Sequence, residues 1–431
     1  MLTLVLLFMV SFLTACGGGG GGSSTSTPTS TVGTVTTLTQ TLLYQNTDQV
    51  SGLINYGVAD LNGDGLEDVV ISEWPGEPNT TVPNAGPPYA YNKIPVKILL
   101  QQTNGTMLDA TSTLLGANNL IYGTQRVVIQ DFDNDGKLDI FLAGFQDSCC
   151  YNISVPSVLF WNNGTSFSRL DFTENIRSPG ACTGDLTGSG FQDIVTSTLV
   201  YKNNGNRTFT TINLTAPVGQ PGSAACTIIK DATTGNIGVA SGNTGPAGYN
   251  AAIYVYDSHL NYINTIGIPG FAGAIGSSDP NNFIQIDMNG DGTLDLLVTD
   301  NGTDNHNGSY HALINNGGFN FTDETSTYFP NQLGDTGITF AFSYRLLTQN
   351  NIQTAFIPIT DTNWNSNTDP GLIQLQNNQF VNWNPGTFSQ SIGSYHYPII
   401  YKTSIGMSLL IATVNGNLPN PQTNTFYTIG F

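Results

Sequence analysis

One nine-residue pattern recurs along the chain and limits what it can fold into. "DLNGDGLED" begins at Asp60 and runs into "VVIS", "DFDNDGKLD" begins at Asp131 and runs into "IFLAGF", and "DMNGDGTLD" begins at Asp287 and runs into "LLVT". A fourth copy, "DLTGSGFQD" from Asp185, runs into "IVTS" and carries hydroxyls where the others carry Asn and Asp. Each copy sits between two β-prone runs. In each, oxygen-bearing side chains fall at loop positions one, three, five and nine, a backbone carbonyl is available at seven, and glycine at six permits a sharp turn around one ion.

A helix-flanked calcium-sensing loop is excluded. That loop needs a bidentate Glu at its twelfth position, whereas the twelfth residue from Asp131 is Leu142, inside an apolar β-prone run. A dockerin-like loop fails for the same reason. Hard oxygen donors without His or Cys select calcium over zinc. The expected ligands are Asp60, Asn62, Asp64, the carbonyl of Leu66 and Asp68; Asp131, Asp133, Asp135, the carbonyl of Lys137 and Asp139; and Asp287, Asn289, Asp291, the carbonyl of Thr293 and Asp295. A weaker set is Asp185, Thr187, Ser189, the carbonyl of Phe191 and Asp193, with only two carboxylates. The competing explanation is an Asn, Asp and Gly-rich turn with solvated charge. Three full copies, each between strand-like runs, favour the metal; for the copy at Asp185 both explanations stand.

A second element follows each loop. "VKILLQQTNGTMLDAT", "SVLFWNNGTSFSRLDF", "STLVYKNNGNRTFTTI" and "HALINNGGFNFTDET" each read as strand, Asn-Gly type turn, strand, a hairpin signal. One unit is therefore strand A, acidic loop, strand B, a variable connection, strand C, tight turn and strand D, as in a propeller blade.

"VADLNGDGLEDVVIS", "IQDFDNDGKLDIFLAG" and "IQIDMNGDGTLDLLVT" resemble the repeat of the FG-GAP and VCBS proteins, bacterial relatives of the integrin alpha propeller. The resemblance implies a calcium-bearing β-propeller over most of residues 37 to 431. It is sharp in those three units; "KDATTGNIGVAS", "YRLLTQNNIQTAFIPI" and "YKTSIGMSLLIATV" keep the strands and lack the carboxylates. Strand A candidates near Tyr56, Val127, Cys182, Cys226, Ile284, Phe340 and Ile399 count seven blades, with six or eight as alternatives. The terminal "TNTFYTIGF" reads as the third strand of the last blade, and "TLTQTLLYQ", residues 37–45, as its fourth. The expected fold is thus all-β, a seven-bladed propeller of four-stranded antiparallel blades closed by its N- and C-terminal strands, which removes exposed edges.

Lys and Arg total 11 against 30 Asp and Glu, for a formal net charge of -19. Such a surface repels nucleic acid, anionic lipid and phosphate-rich substrates. The three full loops hold three, four and three aspartates, so three calcium ions would offset six of those nineteen charges. Calcium removal is expected to cost stability through carboxylate repulsion.

The N-terminal run, residues 1–15, is too short to span a bilayer comfortably and reads as a processed signal. It ends in Leu13-Thr14-Ala15-Cys16, which resembles the lipobox of bacterial lipoproteins. The resemblance implies cleavage before Cys16 and its lipidation, and Gly17 after it implies export to the outer membrane, facing the periplasm or the cell surface. Residues 16–36, rich in Gly, Ser and Thr, form a flexible tether; the poly-Gly stretch has neither a preceding strand nor a following GK[ST], which excludes a phosphate cradle. Outside the cytoplasm disulfides persist. Cys149 and Cys150 are adjacent, so that a bridge between them closes a strained small ring and pairing with Cys182 and Cys226 is at least as reasonable.

Strand direction alternates, so the acidic A–B loops share one face with the C–D turns, and the long B–C connections lie on the other. That separation makes calcium structural. "EWPGEPNTTVPNAGPPYAYNK" carries Trp74, Tyr89 and Tyr91; "DNGTDNHNGSYH" carries His306, Tyr310 and His311; "DTNWNSNTDPG" carries Trp364 and Asp369. Aromatics beside Asn and Asp suit sugars, although such aromatics also pack down their own loops. A lyase or hydrolase would draft His306, Tyr310 and His311 as bases, but no Lys, Arg or G-x-S-x-G accompanies them. The expectation is a non-catalytic propeller that binds a glycan or surface protein as a monomer, touching membrane only through the lipid on Cys16; a polysaccharide-active enzyme and a structural envelope subunit are the alternatives.

Overall fold

The short aliphatic and β-branched runs on either side of each acidic loop all form strands. The computed structural model describes residues 37–38, 41–46, 54–73, 93–145, 154–176, 180–196, 198–216, 225–242, 250–271, 280–300 and 309–330, together with the strands between 338 and 430. All of them belong to one compact unit, Thr36–Phe431. None forms a helix long and apolar enough to cross a membrane.

Five sheets are regular antiparallel meanders of four strands, A to D in chain order. Blade 1 consists of Ile54–Ala59, Asp68–Glu73, Lys97–Gln101 and Met107–Asp109. Blade 2 is Thr124–Gln130, Asp139–Gly144, Val155–Asn162 and Phe167–Ile176. Blade 3 is Cys182–Gly184, Asp193–Thr196, Leu199–Asn203 and Phe209–Asn213. Blade 4 is Cys226–Lys230, Ile237–Gly242, Ala251–Tyr256 and Tyr262–Gly267. Blade 5 is Pro280–Ile286, Asp295–Asp300, Ser309–Asn315 and Phe321–Asp323.

Burial explains the sequence pattern of these strands. Strand B is buried along its full length in blades 2, 3, 4 and 5, on both sides of the sheet. A strand covered on both faces reads as a continuous apolar run; "DIFLAG" does so after its first residue, and "DLLVTD" over Leu296–Val298. Strand D of blades 3 and 4 is mostly exposed or half-buried and carries Thr and Asn accordingly.

The core lies between neighbouring sheets. Val70, Ile98, Ile140 and Phe160 pack between blades 1 and 2, and Phe141, Phe172 and Tyr201 between blades 2 and 3. Val200 and Tyr254 pack between blades 3 and 4, Phe283 and Phe319 between blades 4 and 5. Strand A of one blade lies close to strand A of the next: Asn55 Nδ2 donates to the Thr124 carbonyl at 2.9 Å and Gln285 Nε2 to the Ile228 carbonyl at 2.9 Å. A Cβ on Gly57 would stand 2.9 Å from Ile129 Cδ1, so glycine is what lets blades 1 and 2 approach there.

Two further sheets depart from the regular blade, so seven regular blades are not what the described residues form. In one, Ile338–Thr339 and Arg345–Gln349 both pair with Ile352–Asp361, and Gly371–Gln376 and Gln379–Trp383 complete a five-stranded sheet. The strands Ile338–Thr339 and Arg345–Gln349 flank the position expected for an inner strand near Phe340, and Phe340 itself lies outside the described residues. In the other, Tyr395–Thr403, Gly406–Asn415 and Thr423–Gly430 run in order, and Thr41–Asn46 pairs antiparallel with Thr423–Gly430.

Of the cysteine pairings that the sequence left open, the structure decides one. Cys182 is bonded to Cys226, with Cα atoms 5.6 Å apart. Each begins strand A of its blade, so the bridge staples the inner strands of blades 3 and 4. Closing a loop with a sequence separation of 44 removes about 4 kcal/mol of unfolded-chain entropy. Cys149 and Cys150, like Cys16, lie outside the described residues.

Candidate metal centre

The four acidic loops repeat one geometry. The first aspartate curls the loop around its own carboxylate: Asp60 accepts from the N–H groups of Gly63 at 2.7 Å and Gly65 at 2.8 Å, and Asp287 from those of Gly290 at 2.7 Å and Gly292 at 2.9 Å. Asp131 and Asp185 accept equivalently from Gly136 and Gly190, each at 2.9 Å. The fifth side chain accepts from the seventh N–H: Asp64 from Leu66, Asp135 from Lys137, Asp291 from Thr293, and Ser189 from Phe191. Positive φ is needed at two positions. The sixth is always Gly, and the fourth is Gly63, Asn134, Gly188 or Gly290; Asn is the non-glycine residue that tolerates this region best.

The ninth aspartate is different in kind. Asp68, Asp139, Asp193 and Asp295 are fully buried. One oxygen of each accepts the N–H of the second loop residue, from Leu61, Phe132, Leu186 and Met288 at 2.8 to 3.0 Å. The other accepts a backbone N–H from the end of strand C, from Gln101, Asn162, Asn203 and Asn315 at 2.7 to 2.9 Å. Burial pushes the Asp68 carboxyl up to about 6 and that of Asp139 up to about 7, against the pull of those N–H groups. Burial also raises Asp193 and Asp295.

The strand-C residues that cap these aspartates are absent from the expected site. Asn162 Nδ2 donates to the Leu138 carbonyl at 3.1 Å and to the Leu61 carbonyl of blade 1 at 2.8 Å. Asn203 Nδ2 donates to the Gln192 carbonyl at 3.1 Å and to the Phe132 carbonyl of blade 2 at 2.6 Å. Gln101 Nε2 donates to the Glu67 carbonyl at 2.8 Å and to the Lys402 carbonyl of the last sheet at 2.9 Å. The Asn oxygens accept from Gly164, Gly205 and Gly317 within the C–D turn. The repeated "NNG" was the available signal, and it reads as a turn because the partner across the blade junction is remote in sequence.

The donor set suits a hard cation. Asp131, Asp133 and Asp139 offer carboxylate oxygens that all lie within 4.8 Å of one another, a spacing at which anions repel unless a cation sits among them. At the weaker loop the Thr187 hydroxyl oxygen is buried with no hydrogen-bond partner. Asp60, Asn62, Asp64 and Asp68, and Asp287, Asn289, Asp291 and Asp295, supply the equivalent side chains in the other two loops. In both of these, the third-position Asn amide spans to the fifth-position Asp, at 3.1 Å for Asn62 and 2.9 Å for Asn289.

Of the eight residues expected to bind a ligand, two are described. Trp74, Tyr89, Tyr91, His306, Trp364 and Asp369 lie outside the described residues. Tyr310 is core rather than loop: its ring stacks on Phe329 at 5.3 Å, which stacks on Phe380 of the next sheet at 4.7 Å. Burial raises its phenol well above the ordinary range. His311 is partly buried in strand C, its ring 4.3 Å from that of Phe271 and its Nε2 3.9 Å from Asp300. Burial lowers the imidazole pKa, opposed by Asp300 and Asp323.

Residues 60–142 and 131–196 match the FG-GAP-like repeat family. No curated protein matches the sequence. Among solved structures, a protein of unknown function from Dyadobacter fermentans is similar at 11% identity and a TM-score of 0.44, over 91% of this chain and 98% of that one. The sialidase of Trypanosoma rangeli is similar at 12% identity and a TM-score of 0.41, over 78% of this chain and 57% of that one. The biofilm matrix protein Bap1 of V. cholerae is similar at 10% identity and a TM-score of 0.34, over 88% of each.

Proposed function

We propose that this chain, a β-propeller whose residues 60–196 are FG-GAP-like repeats, is a calcium-stabilised recognition module of the cell envelope. The observation that carries the reading is the convergence of Asp131, Asp133 and Asp139 within 4.8 Å, in a loop that recurs with the same hydrogen bonds in blades 1, 3 and 5. Asp60, Asn62, Asp64 and Asp68, Asp131, Asp133, Asp135 and Asp139, and Asp287, Asn289, Asp291 and Asp295 would hold the ions, with the Asp185 loop as a weaker site. Bound calcium supplies the positive charge that lets these carboxylates stand close together.

The two irregular sheets are read as blades six and seven of a closed ring. Two observations support this: Thr41–Asn46 pairs with Thr423–Gly430, and blade 1 reaches the last sheet through Gln101 and through the Lys402 N–H donated to Glu67. Calcium then braces the A–B face, and the longer connections on the opposite face carry Trp74, Tyr89, Tyr91, His306, Trp364 and Asp369 as the binding surface. A glycan or surface protein is the partner, and the lipid on Cys16 tethers the monomer to the outer membrane. The burial of Tyr310 removes one of the three residues that an enzymatic reading needs.

The test is thermal unfolding with calcium and with a chelator, followed by a glycan array on the calcium-loaded protein. Calcium is expected to raise Tm by about 5 °C or more, and Trp74→Ala or Trp364→Ala to abolish glycan retention at unchanged Tm. Equal Tm in calcium and chelator would sink the metal assignment. Polysaccharide turnover that disappears in His306→Ala and His311→Ala would replace binding by catalysis.

A further inference from the structure

Blades 3, 4 and 5 share an irregularity in the turn between strands C and D. The fourth residue after strand C has positive φ without being glycine: Arg207 at 61°, Leu260 at 62° and Phe319 at 63°. A residue with a Cβ pays about 1 kcal/mol or more for that conformation, so a tertiary contact must hold it. For Leu260 and Phe319 the contact is apolar. Leu260 is buried in the core shared by blades 3 and 4, and Phe319 in that of blades 4 and 5, against Gly238. Each thus seals a junction whose preceding blade has a depleted acidic loop.

Arg207 occupies the same position and points at a loop that has kept all its carboxylates. Its Nε stands 2.5 Å from Asp133 Oδ2, one Nη 3.5 Å from Asp135 Oδ2, and the other donates to Asn163 Oδ1 at 2.7 Å. The guanidinium lies 5.4 Å from the ring centroid of Trp161. Lys137 adds a second cation on Asp135 at 2.7 Å. Among the described residues, ion pairs to the loop aspartates are confined to this loop. The C–D turn of blade 2, which adjoins the Asp60 loop, is one residue shorter and has no equivalent position.

We propose that Arg207 is an internal counter-cation that competes with calcium for Asp133 and Asp135, so that the Asp131 loop is the weakest of the three full loops. The inference rests on the calcium reading of the loops. A guanidinium fork suits two carboxylates, and calcium must displace it to reach the third and fifth ligands. At low calcium, Arg207 holds blades 2 and 3 together in the ion's place; at high calcium the ion takes over and the cation leaves Trp161.

The experiment is calorimetric titration of the full chain with calcium, alongside tryptophan fluorescence. Among its three full loops the wild type is expected to show two tight sites and one weaker on the order of tenfold, apart from the still weaker Asp185 site. Filling of the weak site changes emission, and the change is lost in Trp161→Phe. Asp131→Asn should remove only the weak class, Arg207→Gln should raise its affinity on the order of tenfold, and Arg207→Lys should fall between. Three equivalent sites in the wild type, or a weak site unmoved by Arg207→Gln, overturn the proposal while leaving calcium binding intact. If Arg207→Gln fails to fold, the wild-type titration with the Trp161 signal still decides. No calcium uptake at all defeats the calcium reading and the proposal with it.

Discussion

Asp139 spends both carboxylate oxygens on backbone N–H groups, one from its own loop and one from strand C. A buried acid so placed prefers to keep its proton unless a cation stands beside it. The same holds for Asp68, and the consequence is a dependence on pH with a definite sign. Folded carboxyls raised to about 6 and about 7 bind protons that the unfolded chain has already released. In chelator, their contribution is full below about pH 4 and declines as pH rises toward about 7. Asp135 and Asp291, exposed and held low by hydrogen bonds, pull the other way, but water screens them. Tm in chelator should therefore fall between about pH 5 and pH 7, while the gain from added calcium grows over that range because the ion needs ionised ligands. A chelator curve that rises with pH would contradict this account of Asp68 and Asp139.

At the scale of the element, the loop, strand B and strand C form one hydrogen-bonded unit that reaches across to the neighbouring blade. Asn203 makes three bonds there, to Gln192, Phe132 and Gly205, and is fully buried. Asn203→Ala is expected to cost about 2 to 3 kcal/mol in urea unfolding, since it leaves buried carbonyls unpaired. Asn204→Ala, one position on and exposed, should cost under about 0.5 kcal/mol. The hairpin was legible in "KNNGNRT" because turn chemistry is local. Which of the two adjacent asparagines faces the preceding blade was not, since that depends on the pleat of strand C and on a carbonyl 71 residues away. Tyr310 failed to read as core for a related reason: it follows a polar run, and only the register of strand C, with Tyr310 opposite Thr299, turns it inward.

For the whole molecule, the pairing of Thr41–Asn46 with Thr423–Gly430 covers an edge that would otherwise be open to other chains. Deleting residues 37–46 should lower Tm and produce soluble oligomers on size-exclusion chromatography; a monomer with unchanged Tm would remove these strands from the stabilising role. The amino-acid sequence by itself determined the four-strand repeat, its acidic loops and their depletion in blade 4, because oxygen spacing, glycine at positive φ and Asn-Gly turns act over a handful of residues. It did not determine the regularity of the blades after residue 330, the partner of Cys182, or the cation that faces Asp133. Those were decided by the tertiary structure, since each depends on which side chains two neighbouring sheets bring together: Cys182 meets Cys226 across 44 residues, Arg207 meets Asp133 across 74, and Gln101 meets Lys402 across 301.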